Sequence, residues 1–139
     1  LAYRIQEVAQ KCHLSTYSIR YYHDHGMLPF VQRDAHNNRV FHDIDLEWLN
    51  LIKCLRQTGM PLKRIRHYLD LVQQGDTTIP ERYAIMQAQQ AQAQQELATT
   101  QAHLAIITHK VDHYHDILAT GQPDSFVPQD LPTTKSVSR

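Results

Sequence analysis

The sequence predicts a mainly α chain: a block of short helices broken by one hairpin, then a single long helix. Three observations carry this. Before residue 75, apolar residues recur at helical spacing in four short stretches, each closed by Gly, Pro or polar turn residues. Between them, Asn37 and Asn38 separate Val31 from the pair Val40/Phe41, which is hairpin chemistry. From Pro80 to about Ala119 the chain has neither Gly nor a further Pro.

The elements follow in order. Ile5, Val8 and Ala9 make the inner face of a first helix in "RIQEVAQKC". Ser15 is a good N-cap for a second helix that ends at Gly26, a good C′ residue. Two helices joined by so few residues form a helix-turn-helix. Pro29 stops the second helix, and the hairpin after it reads as a wing. Asp43 or Asp45 caps a third helix reaching Thr58, with Trp48, Leu51, Ile52 and Leu55 as its apolar face. Gly59 ends that helix, and Pro61 sits in the first turn of a fourth, whose stripe is Leu62, Ile65, Leu69 and Val72. The first unit, residues 1–75, is thus a winged helix-turn-helix.

The long helix, within residues 76–120, carries a second period. Met86, Gln90, Ala93, Leu97, Thr100, Leu104, Ile107, Val111, Tyr114 and Leu118 are spaced alternately four and three apart. That is the coiled-coil repeat, with Gln90 and Thr100 as polar breaks. A helix of about 40 residues spans roughly 60 Å. So compact a first unit cannot cover such a seam, so a second copy of the chain is expected to. Residues 121–139, with Pro123, Pro128 and Pro132, read as a flexible tail.

Composition narrows the function. Lys+Arg and Asp+Glu both number 14, yet residues 1–79 hold 10 basic against 8 acidic and residues 80–139 hold 4 against 6. A basic first half fits an anionic partner, though weakly on total charge alone. No apolar run could cross a membrane and no signal-peptide pattern opens the chain, so a cytoplasmic protein is expected. Leu1 is not a start methionine, so the first residue or residues are expected to be missing or replaced. Two cysteines, Cys12 and Cys54, make neither a disulfide framework nor a Cys-only zinc site. No nucleophile–base order, Gly-rich phosphate loop or carboxylate pair points to an enzyme, and no cofactor is expected.

Arg20, Tyr21 and Tyr22 stand together before Gly26. Large aromatics beside a cation serve a core, a stacking platform or a phosphate surface. Successive tyrosines point about 100° apart on a helix, so the two cannot share one role, and at least one is open to a core assignment.

The stretches "YRIQEVA", "LSTYSIRYYHDHGMLP", "NNRVF" and "DLEWLNLIKCLRQTGMPLKRI" together resemble the DNA-binding domain of the MerR family of bacterial transcription regulators. The likeness is close over about residues 3–72 and architectural over the long helix. It implies that Arg20 and Tyr21 or Tyr22 lie at the DNA backbone, a tyrosine hydroxyl donating to phosphate while its ring stays anchored. Thr16, Tyr17 and Ser18 open the recognition helix, the part that reaches base edges. Asn38 and Arg39 fall in the wing, where Arg39 matches the family's wing arginine. Arg56 matches a phosphate-gripping position, and Lys63, with Arg64 and Arg66, adds to that surface or is simply a solvated helix face. The family acts as a homodimer on inverted repeats of double-stranded promoter DNA. It distorts an overlong spacer so that RNA polymerase can engage.

The resemblance also frames what is sensed. The roughly 20 residues after Ala119 are too few for a ligand-binding domain. No cysteine follows Cys54, which argues against a thiolate metal site. "LIKCLRQTGMPL" resembles the aldehyde- and electrophile-responsive branch, where a single cysteine stands at the place of Cys54. The plain alternative is that Cys54 is a small buried hydrophobe; Cys12 reads as structural. His109 and His113 share a helix face, with Asp112 or Asp116 near, but no third ligand is fixed there, so no metal is expected. Two rivals stand beside the regulator: a coiled-coil protein-interaction module, and a ligand-independent repressor of the same fold.

Overall fold

The structure, a computed structural model, describes residues 1–128. Its elements run β1 (Ala2–Tyr3), α1 (Ile5–Cys12), α2 (Thr16–Asp24), β2 (Gln32–Arg33), β3 (Arg39–His42), α3 (Asp43–Gln57), α4 (Leu62–Gln74), a single 3-10 turn (Asp76–Thr78) and α5 (Ile79–Thr120). The predicted architecture is present: helix-turn-helix, wing, a second helix pair and a long C-terminal helix.

Local chemistry sets the boundaries. Ser15 Oγ accepts from the Ser18 backbone N–H at 3.0 Å, capping α2 as expected. At the other end, Gly26 N–H donates to the His23 carbonyl and Met27 N–H to the Tyr22 carbonyl. This is a Schellman motif, and Gly26 takes the φ of +75° that it demands. The end of α3 repeats the device: Gly59 N–H bonds Arg56 O, and Met60 N–H bonds Leu55 O. In both places the methionine after the glycine is driven into the core, Met27 and Met60 being buried. At the start of α3 the cap is His42, and Asp45 reaches back to accept the His42 N–H at 2.8 Å. Pro61 is the N-cap of α4 rather than its first-turn residue.

The sheet has three strands in the order β1-β3-β2, all antiparallel. Tyr3 pairs with Phe41, and Arg33 pairs with Arg39. The hairpin turn includes Asn37 and Asn38, as predicted, with Asn37 left-handed at φ +63°. Asp34 organises it: its carboxylate accepts the N–H groups of His36 and Asn38, each at 2.9 Å.

Val8, Ile19, Phe41, Leu49, Ile52, Met60 and Ile65 form the centre of the core. Burying each such side chain contributes about 1.5–3 kcal/mol. The predicted faces need two corrections. On α3 it is Leu49 that is fully buried, while Trp48 and Leu51 pack only at the core's edge. On α4 the buried set is Ile65, Leu69 and Leu71, with Val72 half-buried. Both helices touch neighbours on more than one side, so a single narrow stripe understates what they bury.

The described residues divide into two compact units, the first of residues 1–91 and the second from residue 92 on. The opening turns of α5 belong to the first unit. Ile85 and Met86 pack on its core, so Met86, read as the first seam residue, is an intradomain contact instead. Gln89 is buried beside them, its Nε2 donating to the Thr58 carbonyl at 2.9 Å.

In the second unit, Ala93, Leu97, Leu104, Ile107, Val111 and Leu118 lie exposed along α5. Tyr114 is exposed as well, and its hydroxyl donates to Asp124 at 2.6 Å. Phe126 stacks on His113, with ring centroids 3.7 Å apart. The expected free tail is therefore corrected for residues 121–128: they have no regular secondary structure but fold back on the helix. The rest of the predicted tail lies outside the described residues.

Candidate nucleic-acid interface

Four arginines converge where the helix-turn-helix meets the wing. Arg4 stands at the N-cap of α1, Arg20 is in α2, Arg33 is in β2 and Arg39 begins β3. With Ile5, Gln6, Asn37 and Asn38 they line an open cleft of about 350 Å3. Of the residues predicted to bind DNA, Arg20, Asn38 and Arg39 are brought together here. Arg4 and Arg33 were missed.

Two of these cations sit directly opposite each other, since Arg33 is the register partner of Arg39. Like charges in facing positions destabilise a strand pair. Local acceptors offset part of that cost. Arg33 donates to the Asn37 carbonyl at 2.9 Å. Arg39 donates from Nε to His23 Nδ1 and from a terminal nitrogen to Asp24, both at 2.8 Å. Arg4 pairs with Asp34 at 2.7 Å. The Arg4 guanidinium, followed by the Asn38 and His36 backbone donors, holds the Asp34 carboxyl below its ordinary range.

Arg39 is not a solvated hairpin arginine. Its side chain is only 15% exposed and bridges the wing to the end of α2. His23 is half-buried beside it, and burial, followed by the Arg39 and Arg33 charges, lowers its pKa. The ring is thus held neutral with Nδ1 as acceptor and its proton on Nε2.

The N-terminal end of α2 carries the residues expected to reach base edges. Tyr17 is 76% exposed, projecting a rigid aromatic with a polar tip. Thr16 Oγ1 accepts from Arg20 at 3.3 Å, and Ser18 Oγ accepts from Ser15 Oγ at 2.9 Å, so both hydroxyls start from local partners. The two tyrosines separate as their angular offset requires. Tyr22 is 7% exposed and belongs to the core, which corrects its place among the DNA contacts. Tyr21 stays half-buried and stacks on His25 at 3.9 Å.

Arg56 and Lys63 are exposed on α3 and α4 but do not line the cleft. Lys63 borders a separate depression with Pro61, Arg64 and His67. Lys53 donates to the Cys12 carbonyl at 2.8 Å, placing a cation on the last turn of α1. Cys54 itself is exposed in the chain, against the reading of a buried hydrophobe. Cys12 is 3% exposed, and burial pushes its thiol pKa up. Among the described residues no three His, Cys, Asp or Glu side chains are grouped to hold a metal. None of the described helices is long and apolar enough to cross a membrane.

Comparison with known proteins agrees with this geometry. Residues 3–72 match the family described as MerR HTH family regulatory protein, and residues 46–110 that described as MerR, DNA binding. Over 134 residues the chain is 34% identical to an HTH-type transcriptional regulator of Haemophilus influenzae, covering 96% of this chain and 99% of the relative. It is 32% identical over 82 residues to the HTH-type transcriptional regulator AdhR of Bacillus subtilis, 59% of each. The crystal structure of HiNmlR, a MerR family regulator lacking the sensor domain, bound to promoter DNA, aligns with a TM-score of 0.74. That alignment has 34% identity over 95% of this chain and 100% of that one. A MerR family regulator from Bacillus thuringiensis aligns with a TM-score of 0.66 at 37% identity, over 81% and 98% of the two chains. Fold and cleft together define a DNA-binding transcription regulator of the helix-turn-helix class. Within that class, the chain belongs to the MerR family.

Proposed function

We propose that the chain acts as a homodimer on an inverted repeat in promoter DNA and activates by distorting the spacer that RNA polymerase must bridge. The observation that carries this is the facing pair Arg33 and Arg39 in a cleft shared with Arg4 and Arg20. Concentrating four cations costs free energy that an anionic backbone would return. The exposed start of α2 beside them supplies base contacts from Tyr17, Thr16 and Ser18, with Arg20, Tyr21, Arg33 and Asn38 on the backbone. HiNmlR is bound to promoter DNA, and its likeness across nearly the whole of this chain supports the same partner.

The apolar line from Ala93 to Leu118 serves dimerisation. A second copy covers it, and the half-site spacing follows from the dimer. Cys54, exposed on α3, is the point where an aldehyde or other electrophile acts. Alkylation there adds bulk near the helix pair that joins the reader to α5. A tenfold shift between two dimer geometries requires only about 1.4 kcal/mol of differential strain. The cytoplasm is the compartment this reading requires.

Site selection from a random duplex pool tests the reading. It should return an inverted repeat. Thr16→Ala or Ser18→Ala should change the bases recovered, whereas Arg20→Ala should weaken every duplex alike. Recovery of sequences without two-fold symmetry would contradict the dimer, and failure to enrich any sequence would contradict specific DNA recognition.

A further inference from the structure

We infer that His23 is the positioning residue of the wing: its neutral ring holds Arg39 against α2, so that protonating His23 releases the wing and weakens DNA binding. The inference rests on the proposed DNA-binding reading and adds a residue and a dependence on acidity to it.

The geometry is specific. Arg39 starts β3, the central strand of the sheet, and its guanidinium reaches α2 through two bonds of 2.8 Å, to His23 Nδ1 and to Asp24. These bonds tie the wing to the recognition helix and aim the rest of the guanidinium at the cleft it lines. A guanidinium is only ever a donor. The bond to His23 therefore exists only while Nδ1 is bare. A protonated ring offers a second donor where an acceptor is needed and sets a cation against Arg39, with Arg33 close by.

The other charged groups around the ring decide how readily this happens. Arg33 on β2 and Arg39 on β3 oppose the proton, as does burial, while Asp24 on α2 and Asp45 on α3 favour it. His42, at the end of β3, faces Asp45 and competes for that carboxylate's field. The opposing influences dominate, so the ring's pKa is lowered and it protonates below the ordinary histidine range. When it does, Asp45 gives the new cation somewhere to turn: its Oδ1 is buried and has no hydrogen-bond partner among the described residues. A ring that swings toward Asp45 leaves Arg39 held to α2 by Asp24 alone and loosens the wing.

The test compares wild type with His23→Asn, whose Oδ1 stands near the place of Nδ1, accepts from Arg39 and does not titrate. Fluorescence anisotropy on the selected inverted-repeat duplex, from pH 7.5 to 5.0, should show the two proteins alike at the upper end. At the lower end wild type should bind about threefold to tenfold more weakly than the variant. The remaining histidines are common to both, so their effect cancels. His23→Leu, which has no acceptor, should bind weakly throughout. In parallel, the Arg39 Nε–H resonance should move in wild type over the same range and stay fixed in His23→Asn. Identical pH profiles, or an Arg39 resonance that ignores pH in wild type, overturn the inference. If the resonance moves as expected but neither protein binds duplex DNA at any pH, the DNA-binding reading falls, and the link from His23 to affinity falls with it.

Discussion

Gln89 donates from Nε2 to the Thr58 carbonyl across 2.9 Å and lies 3.3 Å from the Thr58 hydroxyl. Thr58 is the C-cap of α3, where a helix leaves carbonyls without intrahelical donors. The bond therefore closes one helix end and fastens the opening turns of α5 to the first unit. Gln89 Oε1 is buried without a partner among the described residues, so the side chain is held at some cost.

Gln89→Ala should lower stability by about 0.5–1.5 kcal/mol, because the bond to the Thr58 carbonyl is lost. Gln90→Ala, one position on and exposed, should change almost nothing. Urea unfolding of the two variants checks this; equal midpoints would show that the bond contributes nothing.

The exposed line on α5 predicts assembly. Leu97→Asp with Leu104→Asp places unpaired charge where the second copy should pack, and sedimentation should then report monomer. Met86→Ala should not dissociate the dimer, since Met86 packs within the first unit. A dimer that survives the double substitution would remove α5 as the interface.

The two thiols should differ in the native protein. Cys54 is exposed and Cys12 buried with a raised pKa, so a thiol reagent should take up one equivalent quickly and the second only on unfolding. Cys54→Ser should abolish the fast phase and leave operator binding intact. It should also lose induction by an aldehyde or quinone, whereas Cys12→Ser retains it. A Cys54→Ser protein that is still induced would refute the sensor role.

Asp45 gives a dependence of stability on pH. Its burial pushes the carboxyl pKa up, the His42 backbone bond opposing that only in part. The folded state then holds the proton more tightly than the unfolded chain does. Stability from this group is present at acid pH and is lost as pH rises through the unfolded value toward the raised one. Asp45→Asn removes this dependence, so its stability relative to wild type should improve as pH rises from about 3 to 6, followed by urea titration. A constant difference would place the dependence elsewhere.

Much of this was legible in the sequence because helical period and caps are local. Ser15, Gly26 and Gly59 each mark a boundary through the chemistry of a few neighbouring residues. Gln89 was not legible: it lies in "QAQQAQAQQ", where one glutamine differs from another only by what it meets in space. The strand β1 has two residues and exists only through its pairing with β3. The adjacency of Tyr21 and Tyr22 showed that their roles differ but not which one is buried. Arg4 and Arg33 escaped notice because the cleft is assembled from several elements. A signal was nonetheless present, since Arg33 and Arg39 stand symmetrically about the turn and had to face each other once the hairpin was registered.

The central claim is that the arginine cleft grips a phosphate backbone. Fluorescence anisotropy on the inverted-repeat duplex at about 50 and 200 mM salt tests it most directly. With three or more phosphates held by each protomer of a dimer, affinity should fall about 10³-fold or more over that range. Arg20→Ala or Arg33→Ala should make the log–log slope shallower by about two, because each half of the dimer then neutralises one phosphate fewer. Affinity that is independent of salt, or a slope unchanged by both substitutions, would contradict the account.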